Sequence, residues 1–163
     1  MELIVLGFGS NIGSRLYNIR SAVKKTALAS GFSLISLSSI YETEPWGFKK
    51  QNKFLNCCGV FLCRFSPLEA LKTLKSIEKK LGRQKREKWQ AREIDIDILF
   101  YGNRVLKSNK LVIPHPFIKE RNFVLKPLVE IMPGFVHPVY KKSILNLYQL
   151  SADSGKVTKY REI

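Results

Sequence analysis

The segment Glu93-Ile94-Asp95-Ile96-Asp97-Ile98-Leu99-Phe100 restricts the fold more than any other part of the chain. Its residues alternate at period two, the mark of a strand with one face against a core. Ile94, Ile96, Ile98 and Phe100 are expected on that face, with Asp95 and Asp97 on the other. Same-face neighbours on a strand stand roughly 6–7 Å apart, close enough for both carboxylates to hold a cation, or a pair of cations, between them. Without a cation they repel, which favours protonation of one. Arg92 comes just before the strand, and Trp89 lies three residues earlier. Two acids, an arginine and an aromatic in one place suit a metal-assisted phosphate site. They suit a solvent-facing strand edge equally well, and the segment alone leaves both readings open.

The rest of the chain supplies an ordered series of elements. Leu3–Phe8 is a short apolar run that reads as a buried strand. Ser14 is placed to cap a helix from Arg15 to about Ser30, with Leu16, Ile19, Val23 and Ala27 at helical spacing and Gly31 as the stop. Phe32–Tyr41 reads as a strand, Glu42–Lys53 as a loop, and Phe54–Phe65 as the next strand. Ser66-Pro67-Leu68-Glu69 carries a capping box with proline in the first turn, starting a helix that runs to Leu81 before Gly82. The order is β-α-β-β-α-β, which predicts an α+β, ferredoxin-like antiparallel sheet with two helices on one face. Leu111–Ile113, Val124–Ile131 and Ser143–Leu150 add a further strand and one or two short helices.

With 163 residues and no repeat or linker, the chain is expected to form a single domain over 1–163. Glu2 and the short run Leu3–Leu6 do not make a signal peptide or a membrane span. Cys57, Cys58 and Cys63 crowd one strand without a zinc spacing, so they read as reduced core thiols and suggest a cytoplasmic location. The net charge of +15 favours anionic partners and says nothing of fold. Most of it is scattered in lysine pairs. The exception is Arg83–Arg92, a dense basic stretch between the second helix and the acidic strand.

Some residues break their local pattern. Glu78 sits among Leu71, Leu74 and Leu81 on the inward stripe of the second helix, where a carboxylate needs a partner. Arg121 follows the rigid Pro114-His115-Pro116 turn. Gly7-Phe8-Gly9-Ser10-Asn11-Ile12-Gly13 is similar to a phosphate loop, but Ile12 stands where a dinucleotide fingerprint needs glycine and no Gly-Lys-Ser/Thr follows. It reads instead as a tight strand-to-helix turn using Gly9 and Gly13. Phosphate chemistry would then rest on Asp95, Asp97 and the basic stretch.

Arg92-x-x-Asp95-Ile96-Asp97-Ile98-Leu99, preceded by Lys88 and Trp89, resembles the signature of the 6-hydroxymethyl-7,8-dihydropterin pyrophosphokinase family. Gly9-Ser10-Asn11, Tyr41-x-Thr43-x-Pro45-x-Gly47, Phe54-Leu55-Asn56, Ile77-Glu78 with Leu81-Gly82-Arg83, Pro114-His115 and Arg121-x-Phe123 match as well, in order, over roughly Leu3 to Pro138. The resemblance implies an enzyme of folate biosynthesis that moves the terminal pyrophosphate of ATP onto the pterin hydroxymethyl group and releases AMP. It implies two Mg²⁺ on Asp95 and Asp97, with Arg83 and Arg92 on the transferring phosphates. Phe54 and Phe123 would sandwich the pterin, Asn56 would bond its amide edge, and Thr43, Pro45 and Trp46 would line its pocket. Lys75, Glu78, Lys85, Trp89, Ile98, Lys110, His115 and Arg121 would lie on the nucleotide side. A monomer with no membrane or nucleic-acid partner is expected.

The chain departs from the family pattern at Gln90, where a small residue is usual, and at Ala91, often a proline. Arg83–Trp89 is about one residue short, Lys75 and Lys110 stand where Gln and Arg are frequent, and Phe54 replaces a tyrosine. Two other classes compete. A nucleic-acid-binding protein accounts for the charge and the Lys/Arg-Trp stretch but leaves Asp95, Asp97 and Glu78 unexplained. A Gly-Ser…Asp-x-Asp nucleotidyltransferase needs its Gly-Ser pair close before the acids, whereas Gly9-Ser10 lies far upstream.

Overall fold

From the N-terminus the chain runs β1 (Glu2–Ser10), α1 (Arg15–Leu28), β2 (Phe32–Leu37), β3 (Ile40–Thr43), β4 (Phe54–Cys63), α2 (Pro67–Lys80) and β5 (Asp95–Tyr101). The short strands β6 (Leu106–Lys107) and β7 (Val112–Ile113) follow, then α3 (Asn122–Ile131), α4 (Ile144–Gln149) and β8 (Val157–Arg161). The computed structural model describes residues 1–45, 50–84 and 90–161. The main sheet has the order β5-β1-β4-β3-β8, with β2 beside β3 on the same edge of β4. Every pairing in it is antiparallel. This is the expected α+β arrangement, with the span Phe32–Tyr41 divided into two strands.

The sheet is covered on both faces. Ile4, Leu6 and Phe8 of β1 turn toward α1 and α2 and pack with Ile19, Ala22, Leu74, Ile94 and Ile96. Val5 turns the other way, to Val60, Leu99, Leu125, Leu128, Ile144 and Leu147 beneath α3 and α4. Each fully buried Leu, Ile, Val or Phe side chain is worth about 1.5–3 kcal/mol, so the C-terminal helices contribute a second core. Among the described residues, no helix is long and apolar enough to cross a membrane.

Phe100 does not share a face with Ile94, Ile96 and Ile98 as the alternation predicts. Val5 pairs with Phe100 while Leu6 pairs with Ile98, so β5 has one residue more than β1 at this point. This β-bulge puts Leu99 and Phe100 together in the second core and returns Tyr101 to the first. Asp95 and Asp97 precede the bulge and keep their shared face, the one toward α3.

The helix starts differ in their chemistry. Ser66 and Glu69 form the expected capping box, with Ser66 N donating to Glu69 Oε2 at 2.8 Å. Ser14 precedes α1 but makes no side-chain cap bond. Asn18 Nδ2 instead donates back to Ser10 Oγ and Ile12 O, closing the turn. Gly9 is part of β1, not of that turn, whose left-handed residue is Gly13.

His137, 2 % exposed, is built into the second core. Its Nδ1 accepts from the N–H groups of Val139 and Tyr140, both at 3.2 Å, and its ring lies against Phe100 and Tyr140. Burial pushes its pKa down to about 4. Because the folded value lies below the unfolded one, near 6.5, its contribution to stability is complete above that pH and is lost as pH falls toward 4. His137→Asn keeps an acceptor for the turn and removes the titration. Urea denaturation should show the wild type losing about 2–3 kcal/mol relative to the variant between pH 7 and 4. Parallel pH profiles for the two proteins would refute this.

Candidate active site

The site is opened by missing side chains. Gly7 pairs with Asp97 on one side and Cys58 on the other, and Gly9 pairs with Asp95 and Asn56. All six residues are on the face toward α3, so two glycines leave a bare floor between a row of carboxylates and the Asn56 row. A Cβ on Gly9 would lie 2.9 Å from Asn56 Oδ1. The cleft above this floor is lined by Thr43, Phe54, Asn56, Arg92, Asp95, Asp97, Arg121 and Phe123. Asn56 Nδ2 donates to Thr43 Oγ1 at 2.7 Å, which fixes the orientation of the buried amide. Pro45 is buried next door and lines an adjoining groove with Phe123.

The two aspartates are in opposite electrostatic conditions. Asp95 is ion-paired with both Arg83 and Arg92, and Lys75 Nζ lies 3.8 Å away. Burial raises its pKa, but Arg92, Lys75 and Arg83 together outweigh burial and hold it below the usual carboxylate range. The Asp97 carboxylate forms no hydrogen bond or ion pair among the described residues. Burial, and then the charge on Asp95, push its pKa up to about 6. Arg121, 8 % exposed, attracts both acids and lies over the rings of Phe117 and Phe123. A half-desolvated carboxylate beside a second one, next to an open cleft, is a hard-oxygen donor set of the kind Mg²⁺ uses with substrate phosphates and water. Among the described residues no third acidic, histidine or cysteine side chain joins the pair.

Glu78 works from behind. Its Oε1 accepts from Lys75 Nζ at 2.8 Å and the Ile96 N–H at 2.7 Å and is ion-paired with Arg83 Nη1 at 2.6 Å. Burial raises its pKa against the pull of Lys75. The carboxylate therefore satisfies an N–H on the outer edge of β5 and aims two cations at Asp95. Glu78→Ala leaves that N–H without its acceptor and Arg83 with Asp95 alone, and should cost about 2–4 kcal/mol, read from urea denaturation. Wild-type stability in that variant would refute the role.

The remaining predicted residues are less concentrated. Ile98 points into the first core, so only its main chain is left for a nucleotide. His115 donates its N–H to Leu99 O at 3.0 Å, and burial followed by the charge of Arg121 pushes its pKa down to about 4. Lys110 is exposed on the turn between β6 and β7. Trp46, Lys85 and Trp89 lie outside the described residues, as does most of the basic stretch after Gln84. Sequence reasoning passed over Asn11, which brackets Arg92: its Oδ1 accepts the Arg92 N–H at 2.7 Å, and its N–H donates to Arg92 O at 3.0 Å. Its Nδ2 holds Gln51 and Asn52. The signal for the floor was present as Gly7-x-Gly9 at strand spacing.

Residues 5–133 match the family model described as 7,8-dihydro-6-hydroxymethylpterin-pyrophosphokinase. The 2-amino-4-hydroxy-6-hydroxymethyldihydropteridine pyrophosphokinase of Aquifex aeolicus is 41% identical over 144 residues, covering 88% of this chain and 89% of its own. The Synechocystis protein of the same name is 41% identical over 145 residues, 89% of this chain and 74% of its own. In fold, the chain is similar to the crystal structure of Plasmodium falciparum HPPK-DHPS with pteroate, with a TM-score of 0.75, 17% identity and 91% of this chain covered. It spans 42% of that longer chain. With most of its length matched by the family model and by these relatives, the chain belongs to the 7,8-dihydro-6-hydroxymethylpterin-pyrophosphokinase family.

Proposed function

We propose that the chain is an ATP-dependent pyrophosphokinase that transfers the terminal pyrophosphate of ATP to 6-hydroxymethyl-7,8-dihydropterin in folate biosynthesis, releasing AMP. The observation that carries this reading is the Asp97 carboxylate, without a partner among the described residues, beside Asp95 and facing an aromatic-lined slot across the glycine floor. Phe54 and Phe123 stack the pterin between them. Asn56, its Nδ2 committed to Thr43, recognises the amide edge. The substrate hydroxyl is thereby held toward the acidic pair.

The hydroxyl oxygen bonds to the β-phosphorus of ATP. The bond from that phosphorus to the oxygen bridging the α-phosphate breaks, AMP departs with that oxygen, and the hydroxyl proton passes to water. Asp95 and Asp97 would hold two Mg²⁺, which when bound neutralise charge on the triphosphate. Arg92 and Arg83, drawn to Asp95 in the free protein, are within reach to meet charge on the transferring phosphates. Arg121 sits at the boundary between the acids and the pterin ring. His115, neutral because its pKa is so low, can bond a phosphate or ribose oxygen without adding charge. No nucleophilic side chain is needed, and positioning provides much of the acceleration. Lys75, Glu78, Ile98 and Lys110 belong to the nucleotide side of this reading.

We further infer that residues 1–163 act as one domain, monomeric and cytoplasmic. The decisive experiment supplies ATP, Mg²⁺ and the reduced pterin alcohol and follows nucleotide products by chromatography. AMP formed only with pterin and metal both present is the expected result. ADP or free phosphate in its place would reject pyrophosphoryl transfer.

A further inference from the structure

We infer that Asp153 is a positioning residue for the pterin slot, holding Phe123 through the first residue of α3; this rests on the pterin chemistry proposed above. Helix α3 begins at Asn122, between Arg121 and Phe123, and its own N-cap residue provides no side-chain cap. The cap is supplied from far along the chain. Asp153 Oδ2 accepts the Asn122 N–H at 2.7 Å, and Asp153 O accepts from Asn122 Nδ2 at 2.6 Å. A carboxylate there also complements the helix dipole. It is set in advance by its own turn, because Oδ1 takes the Gly155 N–H at 2.8 Å and the Asp153 N–H donates to Ser151 Oγ at 3.2 Å.

The chain then enters β8 directly, where Val157 pairs with Thr43 and Thr158 with Glu42. Residues 151–161 thus strap together the two walls of the slot, the start of α3 with Phe123 and the end of β3 with Thr43. Phe123 needs such a tether. It borders the cleft on one side and an open groove on the other, lined by Glu44, Pro45, Asp153 and Val157, so packing alone does not fix its ring. The far end of α3 has a separate anchor, Glu130, which accepts from Ser39 N–H, Ser39 Oγ and Tyr41 OH. Of these two anchors, the Asp153 tether is the one next to the slot. It is also beyond residue 133, where the family match ends.

The test uses full-length protein and measures pterin binding in the presence of Mg²⁺ and a non-hydrolysable ATP analogue, alongside the affinity for that analogue. Asp153→Ala removes the carboxylate that caps the Asn122 N–H and leaves the main-chain acceptor in place. Asn122→Pro removes the donor from the other side while suiting the first position of a helix, which guards against misfolding of the first variant. Both should weaken pterin binding about tenfold, the size of one lost hydrogen bond, with analogue affinity unchanged. Asp153→Asn, which keeps one of the two acceptor oxygens, should recover part of that binding. Wild-type pterin affinity in both severed variants would overturn the inference, as would an equal loss for the ATP analogue. A wild-type protein that binds no pterin would instead reject the function on which it rests.

Discussion

Asp97→Asn is expected to lower kcat by about a thousandfold or more while making the metal-free protein more stable. The two effects share one cause. Asp97 is half-buried, its carboxylate has no partner among the described residues, and it is repelled by Asp95, so its ionised form is disfavoured in the folded state. Its pKa is raised on folding, so near pH 8 its charge opposes folding, and removing it should add about 1–2 kcal/mol after allowing for its partial exposure. In a protein of this size that is about 3–6 °C in Tm. Asp95→Asn should lose activity as severely yet become less stable, because Asp95 is the anchor for Arg83, Arg92 and Lys75. Steady-state kinetics and thermal melts, each with and without Mg²⁺, separate the pair. If Asp97→Asn melts below wild type without metal, the carboxylate is serving structure and the metal assignment fails.

Gly9→Ala should raise KM for the pterin by about ten- to a hundredfold with little change in KM for ATP. The single methyl would stand 2.9 Å from Asn56 Oδ1, closer than such contacts are found, so the amide must move. Overpacking of this kind costs about 1–3 kcal/mol. Asn56 cannot rotate freely, since its Nδ2 is bonded to Thr43 in a buried position. The methyl also rises from the middle of the floor, on the face the pterin would cover. Gly7→Ala is the control. The atoms nearest its Cβ would be those of Leu99, at 3.5 Å or more, an ordinary contact, so it should be much milder. Equal pterin KM values for Gly9→Ala and wild type would show that the slot does not extend over this part of β1.

Much of this was legible in the sequence because it is written in local periodicity. The β-α-β-β-α-β order, the Ser66/Glu69 capping box and the common face of Asp95 and Asp97 all follow from spacings of a few residues. What escaped depends on distant partners. The bulge that moves Phe100 to the second core exists only as a mismatch between β5 and β1, and neither strand announces it alone. β8 reads Val-Thr-Lys-Tyr-Arg, mostly exposed, and becomes a strand because β3 offers it a ladder. In the sequence Gly9 reads as part of a turn because a glycine in a strand looks like punctuation until its neighbours across the ladder are known. Asn11 and Asp153 are ordinary polar residues locally, and their partners stand 81 and 31 positions away.

The outer edge of β5 has a consequence beyond catalysis. An unpaired strand edge is a template on which another chain can add, the first step toward fibrous aggregation. Here the Ile96 N–H is taken by Glu78, the Ile96 carbonyl faces Lys75 at 3.4 Å, and the Leu99 carbonyl is taken by the His115 N–H. At the opposite end of the sheet, β8 carries Lys159 and Arg161 with Lys156 just before it. A second molecule docking there antiparallel would bring like charges together. The surplus of cations in this chain thus also acts as a solubility device at the β8 end of the sheet.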